Sequence, residues 1–425
     1  MLDVKIIREE PDKVRNGIST KNIDPKLVDK FLKLDEKWRE LTKKIEEKRA
    51  FQKKLTHSVH SGKGGERSVD KARKNKEEMQ ELESGLRDLE KEREESLLEI
   101  PNLPADDVPV GKSESENKVI KKWGETKKFD FPALDHLALG EKAGIIDTER
   151  AAKVSGTRFA YLKGDAVMLE LALVKLAMDT LIKEGFIPVI PPVLIRPEIT
   201  NGLGYWQAGG RGDYFLASNP LDTLNEDEQY YLVGTAEHSL VPMHKDEVFK
   251  KKDLPRRYAG FSTCFRREAG SYGRDTRGIL RVHQFDKVEM VSFVPEEMDD
   301  EEHDKLFSIE EELFQSLGIP YQVVKMCSGD LGFPVARKYD IEAWMPGQGK
   351  YREVTSASTT SDFQARRLNV KYEDGKEKKF ARILNGTAFA IGRTIIAILE
   401  NYQRKDGKIE VPKVLQDYVG KKVIG

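Results

Sequence analysis

Two cysteines in 425 residues, Cys264 and Cys327, are too few for a disulfide framework, and they stand in no metal-ligand spacing, so a cysteine-rich zinc site is not expected either. Both read as small core residues rather than reactive thiols. A long apolar run is also missing. No stretch could span a bilayer, and the opening MLDVKIIREE is charged and without the apolar core of a leader, so a cytoplasmic chain with no membrane partner is expected. Nor is there an excess of charge of one sign: 72 Lys and Arg against 73 Asp and Glu leave −1. Affinity for a polyanion would have to come from where the charges lie. What is plentiful is charge itself, 34% of residues against 38% hydrophobic, the balance of a globular body joined to a mostly polar helical part. The length allows two or three domains.

From residue 27, apolar side chains alternate in steps of four and three: Leu27, Phe31, Leu34, Trp38, Leu41, Ile45, then polar Lys48 and Gln52, then Leu55. That is a heptad seam. The polar, glycine-bearing HSVHSGKGGERS at 57–68 interrupts it, and a second seam runs through Ala72, Met79, Leu82, Leu86 and Leu89. Two helices, about 27–56 and 69–99, are therefore expected to fold back on each other as an antiparallel hairpin. IPNLPADDVPVG at 100–111 ends it, because its prolines and glycine cannot continue a helix. Charge is uneven along the hairpin: residues 43–76 hold twelve basic against four acidic side chains, and 77–99 three against ten. A basic distal half suits phosphate contacts. The remainder reads as mixed helix and strand: helices at Leu169–Glu184 (closed by Gly185), 304–317 and 387–403, an extended, proline-interrupted FIPVIPPVLI at a sheet edge, and antiparallel strands such as 281–291.

The stretch FRREAGSYGRDTRGILRVHQFDKVEM at 265–290 places Arg266, Arg267, Arg274, Arg277 and Arg281 around a glycine-punctuated turn. Guanidinium groups at that density repel one another unless an anion sits among them. Taken as a strand, 281–290 carries Arg281, His283, Phe285, Lys287 and Glu289 on one face, an anion binder, an aromatic plate and a carboxylate in a row. Fully extended, that face spans about 27 Å, enough for a nucleotide plus a small amine. Arg266 and Glu268 would share parity on a partner strand, with the turn from Gly270 to Gly278 joining the two. An ordinary amphipathic hairpin, with arginines paired to Glu268, Asp275 and Asp286, explains the spacing alone equally well.

Company elsewhere in the chain favours the anion site. FRREAGS with RVHQFDKVE resembles motif 2 of class II aminoacyl-tRNA synthetases, in the wording of the seryl-tRNA synthetase family. EGFIPVIPPVL resembles motif 1, with its proline at Pro192, and LNGTAFAIGRTIIAILENYQ resembles motif 3, with Arg393. GTAE at 234–237 is similar to that family's serine-binding loop, YREVTSAS at 351–358 to its metal and ATP segment, and MLDVKIIREEPDKVR to its N-terminus. Motif 1 would cover about 175–197, motif 2 about 258–291 and motif 3 about 383–403. The resemblance implies an α+β chain: an N-terminal tRNA-binding domain, 1–107, carrying the coiled-coil hairpin, then a class II catalytic domain, 108–425, with a mainly antiparallel sheet flanked by helices.

It also implies roles. Arg266, Arg281 and Arg393 would be the catalytic cations, with Arg266 on the α-phosphate of ATP, Arg281 on the distal phosphates and Arg393 covering an adenine stacked on Phe285. Glu268 would meet the base edge and the Val282 backbone the nucleotide. Glu353 and Ser356 would supply oxygen ligands to Mg2+, which needs few from the protein when phosphates provide others. Their odd spacing requires a bulge or turn. L-Serine would be held by Thr235, Glu237, Arg266, Glu289, Asn385 and Thr387. The implied activity is serine activation and transfer to tRNA(Ser), and to tRNA(Sec) where present, by a homodimer joined through motif 1 and needing ATP and Mg2+ but no zinc. His238, His283 and His303 read as structural or exposed. Two places depart from the family's common wording: His238 and Ser239 follow Glu237 where Val-Pro is frequent, and fewer small residues follow Thr387. Rival readings are a class II enzyme for threonine or proline, a synthetase-like carrier-charging or regulatory protein, and a structural coiled coil. The hairpin and RVHQFDKVE weigh against the first, the long basic arm against the second, and the polar set from 235 to 393 against the third.

Overall fold

The computed structural model describes residues 1–60, 66–217, 229–269, 275 and 277–425. Arg274, the glycines at 270 and 273, and residues 61–65 of the hairpin's polar break lie outside the described residues. The chain folds as two units, Met1–Pro101 and Asn102–Gly425.

The first unit is helical. Helix α1 (Val4–Glu9) starts at Asp3, whose carboxylate accepts the Lys5 N–H at 2.8 Å, and α2 (Pro11–Thr20) starts with proline at its first position, where no N–H is needed. The long pair α3 (Lys26–His60) and α4 (Glu66–Leu98) forms the hairpin. At its base the seam buries Val28, Phe31 and Leu97. Asp35 is fully buried there, and its charge is met by Arg8 at 2.8 Å from α1 and Arg93 at 2.8 Å from α4. Both guanidinium groups hold its carboxyl below the usual carboxylate range against the opposing effect of burial.

The second unit is built on one eight-stranded sheet. In chain order the elements used below are β1 (Lys118–Trp123), α5 (Asp165–Lys183), β2 (Ile187–Val189), α6 (Pro197–Leu203), β3 (Arg256–Phe265), β4 (Gln284–Val294), α7 (Asp299–Ser316), β5 (Tyr321–Lys325), β6 (Arg337–Met345), β7 (Lys350–Thr359), α8 (Phe363–Leu368), β8 (Arg382–Ala390) and α9 (Ile391–Asn401). The order across the sheet is β1-β5-β6-β7-β8-β4-β3-β2, antiparallel throughout except for the parallel pair of β2 with β3. The proline-bearing β2 therefore lies at an edge, where the missing ladder donor of Pro188 costs little.

Helices α5, α7 and α9 bury Leu169, Leu173, Leu306, Phe314, Ile395 and Leu399 in one core with Val288, Met290, Ile341 and Leu384 of the sheet. On the other face of β4, Val291 and Phe293 join a second core with Leu240, Tyr258, Ala365 and Leu368. Between that second core and the start of β4 the sheet face is left open. Gly260 matters to what stands there: a Cβ on it would lie 2.7 Å from Leu240 Cδ1 and 2.9 Å from Ala236 Cβ, so only glycine lets the segment carrying Thr235 and Glu237 approach β3 so closely.

Five expectations need correction. Strand β4 begins at Gln284, not Arg281, and β3 ends at Phe265, so Arg266 and Glu268 are not strand residues. The ladder gives way to a single bond, Arg266 N–H to His283 O at 2.9 Å, and Glu268 takes a left-handed φ of 54°. The helix expected at 387–403 runs only from Ile391 to Asn401, because Thr387–Ala390 stay in β8, paired with Lys287–Glu289 of β4. Helix α7 starts five residues before 304, where Asp299, Asp300, Glu301 and Glu302 favour a helix N-terminus. Helix α5 likewise starts before Leu169, at Asp165, and ends at Lys183, with Gly185 at φ +85°.

Candidate active site

The open face of the sheet is the floor of a cavity of about 600 Å3. Strand β4 contributes Phe285, Lys287 and Glu289 by simple alternation, and β8 contributes Asn385 and Thr387 beside them. The loop before β4 adds Arg281 and Val282, the segment after β3 adds Arg266 and Glu268, and the loop packed on Gly260 adds Thr235 and Glu237. Arg393 enters from the first turn of α9. Glu353 and Ser356 come from β7, and the register explains how both reach one side. Glu342 opposes Glu353 and Ile341 opposes Thr355, so Val354 is an extra residue that shifts the alternation. Every site residue expected from the sequence thus borders one cavity. His283 does not: its ring packs against Phe159 and Phe215, and Nδ1 lies 2.9 Å from Arg266 O.

The cations are held in specific ways. Arg281 Nη1 meets Glu268 Oε2 at 2.6 Å, whereas its buried Nε has no partner among the described residues. Arg266 donates from Nε to Gly234 O at 3.1 Å and lies over the Phe285 ring, 5.4 Å from its centroid. Arg393 Nη1 bonds Glu353 twice, at O (3.1 Å) and Oε2 (3.0 Å).

Glu353 and Ser356 offer a carboxylate and a hydroxyl to the cavity. Burial would raise the Glu353 carboxyl, but Arg393 and Lys338 outweigh it and bring it down to about 2. An ionised, all-oxygen donor set of few members fits Mg2+, which keeps several ligands from water and phosphates. No group of three or more His, Cys, Asp or Glu side chains stands close enough to hold a metal among the described residues, so a cage made wholly of protein is not what this site offers.

Two family models match. The seryl-tRNA synthetase N-terminal domain covers residues 1–104, and the class II tRNA synthetase core domain for G, H, P, S and T covers residues 221–402. Serine–tRNA ligase of Dictyoglomus turgidum is 45% identical over 99% of this chain and 98% of its own length. The chain belongs to the seryl-tRNA synthetase family. Among solved structures, the seryl-tRNA synthetase of Pyrococcus horikoshii complexed with ATP superposes with a TM-score of 0.94 at 42% identity, covering 100% of this chain and 99% of that one. The cytoplasmic serine–tRNA ligase of Naegleria fowleri in complex with AMP gives 0.90 at 34%, covering 100% and 98%.

For a seryl-tRNA synthetase fold, the carboxylates beneath the cavity are distributed with purpose. Glu289 is 2% exposed, and burial pushes its carboxyl up to about 7, although Lys287 Nζ stands 2.5 Å away and Thr387 Oγ1 donates at 3.2 Å. One layer deeper, Glu310 of α7 accepts a short hydrogen bond from Thr355 and is held well above the carboxylate range by burial. Asp340 of β6 is raised to about 7, burial outweighing Lys338 at 3.0 Å. The sequence reading did not single out Glu310, Asp340 or Lys338. A carboxylate on the apolar side of a helix was the available signal for Glu310; strand parity with Ser356 was the only one for Asp340.

His238 is buried and borders the cavity. Its Nδ1 accepts the Gly234 N–H at 3.2 Å, so Nε2 carries the hydrogen and donates to Tyr214 Oη at 3.3 Å. Burial lowers its pKa, leaving the ring neutral. His303 is also buried, with Nε2 donating to Ala357 O at 3.1 Å and Nδ1 accepting from Arg337 at 3.1 Å. Both rings are thus bonded at both nitrogens. Cys264 and Cys327 are fully buried free thiols.

Proposed function

We propose that this chain is a serine–tRNA ligase that activates L-serine with ATP and transfers it to the terminal ribose of tRNA(Ser), and to tRNA(Sec) where that tRNA is present. The observation that carries the reading is the convergence of every residue expected for ATP and for serine on one cavity of about 600 Å3. The ATP and AMP complexes of the two structural relatives support the nucleotide assignment. Residues 1–107 would be the tRNA-binding domain and 108–425 the catalytic domain, with motif 1 at about 175–197, motif 2 at about 258–291 and motif 3 at about 383–403.

On this reading Arg266 binds the α-phosphate and Arg281 the distal phosphates. Phe285 stacks on adenine with Arg393 opposite; Glu268 meets the base edge and the Val282 backbone the nucleotide. Glu353 and Ser356 would hold Mg2+, which when bound neutralises phosphate charge. Thr235, Glu237, Glu289, Asn385 and Thr387, with Arg266, enclose serine. Buried carboxylates suit its ammonium, and a donor-acceptor set suits its hydroxyl, so alanine is rejected by the polar groups it leaves unpaired.

Serine's carboxylate is already ionised, so the first step needs no protein base. One carboxylate oxygen bonds to the α-phosphorus as the bond to pyrophosphate breaks, and the arginines hold the in-line geometry and the developing charge. A ribose hydroxyl of the tRNA end then attacks the acyl carbon of seryl-adenylate, loses its proton and expels AMP. The basic distal half of the hairpin suits a tRNA read by shape and phosphate. Exposed Met168, Leu171, Ile182, Ile187 and Ile190 support a homodimer joined through motif 1. Among the described residues no helix is long and apolar enough to cross a membrane.

The test is amino-acid-dependent exchange between ATP and pyrophosphate, with Mg2+ and serine, threonine, proline or alanine, repeated with Glu289→Ala. Exchange with serine alone, lost in the variant, is expected. No exchange with any amino acid in folded protein would leave a regulatory relative as the better reading.

A further inference from the structure

Glu237 is buried, 3% exposed, and its two oxygens are treated differently. Oε1 accepts two hydrogen bonds, from Tyr205 Oη at 2.7 Å and from Gln364 Nε2 at 3.0 Å. Oε2 meets no donor among the described residues, and the residue lines the cavity. Both donors are themselves fixed. Gln364 on α8 is fully buried; its Nε2 also reaches Leu203 O at 3.4 Å, and two acceptors on that side settle which end of the amide faces Glu237, while its Oε1 lies 3.2 Å from Thr360 Oγ1. Leu203 ends α6, and Gly204 there takes a left-handed φ of 87° that a side chain rarely adopts. That turn brings Tyr205 over the cavity. Arg367, three residues after Gln364, clamps the same helix end through Asn201 O at 2.9 Å and Gly202 O at 3.2 Å. The Tyr205 ring lies against His238, centroids 4.8 Å apart, and His238 is tied to Tyr214 and Gly234. His238 thus supplies the surface on which Tyr205 rests.

We propose that Tyr205 and Gln364 are positioning residues that lock Oε1 of Glu237 and leave Oε2 as the acceptor offered to serine. The inference rests on the reading of Glu237 as part of the serine site. A carboxylate with one oxygen saturated by two neutral donors cannot rotate without breaking both bonds, so the free oxygen is held ready before the amino acid arrives, which lowers the ordering cost of binding. ATP makes no use of this pair. Its removal should therefore weaken serine selectively.

The experiment is serine-dependent ATP–pyrophosphate exchange on the full chain, with KM measured separately for serine and for ATP. Tyr205→Phe removes one oxygen and keeps the ring, and Gln364→Leu removes the amide. Each is expected to raise the serine KM about 10- to 100-fold, the size typical of a hydrogen bond to a charged group, while the ATP KM stays within about twofold. Because both bonds converge on one oxygen, the double variant should fall short of the product of the two effects. A Tyr205→Phe protein with a serine KM within about twofold of wild type overturns the inference whatever Gln364→Leu does, as does a parallel rise in both KM values, which would mean general loosening. Wild type run alongside separates the failures: absent serine-dependent exchange there sinks the reading of the site, whereas normal wild-type exchange with an unmoved Tyr205→Phe sinks only the clamp.

Discussion

A buried carboxylate that must receive an ammonium group has competing demands, and Glu289 shows how they are met. Left alone at 2% exposure it would stay protonated; Lys287 at 2.5 Å supplies a counter-charge, and the balance leaves the carboxyl at about 7. On the proposed reading, serine binds the ionised form. As pH falls through 7 the carboxylate takes up a proton, the charge that attracts the ammonium is lost, and serine must compete with that proton. The serine KM is therefore expected to rise below pH 7, approaching about tenfold per pH unit at the acid end, and to level off above it. Glu289→Gln should bind serine weakly with that dependence removed. Exchange kinetics from pH 5.5 to 8.5 with ATP saturating would check both, and a flat profile in wild type would show that Glu289 does not carry the charge that serine reads.

At the scale of elements, much was legible because period and punctuation agree. Heptads gave the hairpin, prolines its end, and the proline pair the edge position of β2. Alternation gave the cavity face of β4 from Phe285 to Glu289. What could not be read was where ladders stop: Arg281 and Val282 are as strand-like in composition as Phe285, yet pairing ends at Gln284, and only the geometry of Arg281 turning back to Glu268 accounts for it. Side chains that act through another group, such as Gln364, were invisible because their meaning lies in contacts across 127 residues of sequence. The hairpin also hides a polar layer. Asn75 is 4% exposed, and its Nδ2 donates to Gln52 Oε1 at 2.8 Å and Lys48 O at 3.2 Å, while its Oδ1 has no partner among the described residues. A polar pair at a seam fixes register at a cost in stability, and a buried, unbonded oxygen adds about 1–3 kcal/mol to that cost. Replacing both Asn75 and Gln52 by leucine should stabilise the hairpin by about 1–3 kcal/mol and slow amide exchange along α3 and α4. Faster exchange in the double variant would show that the pair stabilises rather than merely specifies.

At the scale of the whole molecule, one run of exposed apolar side chains lies along α5 and the strand that follows it. Along α5, Met168, Leu171 and Ile182 are 41%, 55% and 51% exposed, and the chain continues through β2, the last strand of the sheet, to Ile187 at 42% and Ile190 at 85%. Isolated apolar side chains on a surface need no explanation, but a run of them beside an open sheet edge is what a partner covers. The same helix buries Leu169, Leu173 and Leu181 in the main core, so α5 is apolar on two sides, as a helix between two packed layers must be. A second copy of this chain is the partner that the family's motif 1 implies. Sedimentation equilibrium at micromolar concentration is expected to give twice the 48.4 kDa of one chain. Leu171→Glu with Ile182→Glu would place two charges in the contact without touching the core beneath. Burying unpaired carboxylates costs several kcal/mol, enough to weaken association at least about 100-fold and leave a monomer. Circular dichroism unchanged from wild type would show that the fold survives. A variant that remains dimeric would place the contact elsewhere, and a monomeric wild type would remove the dimer altogether.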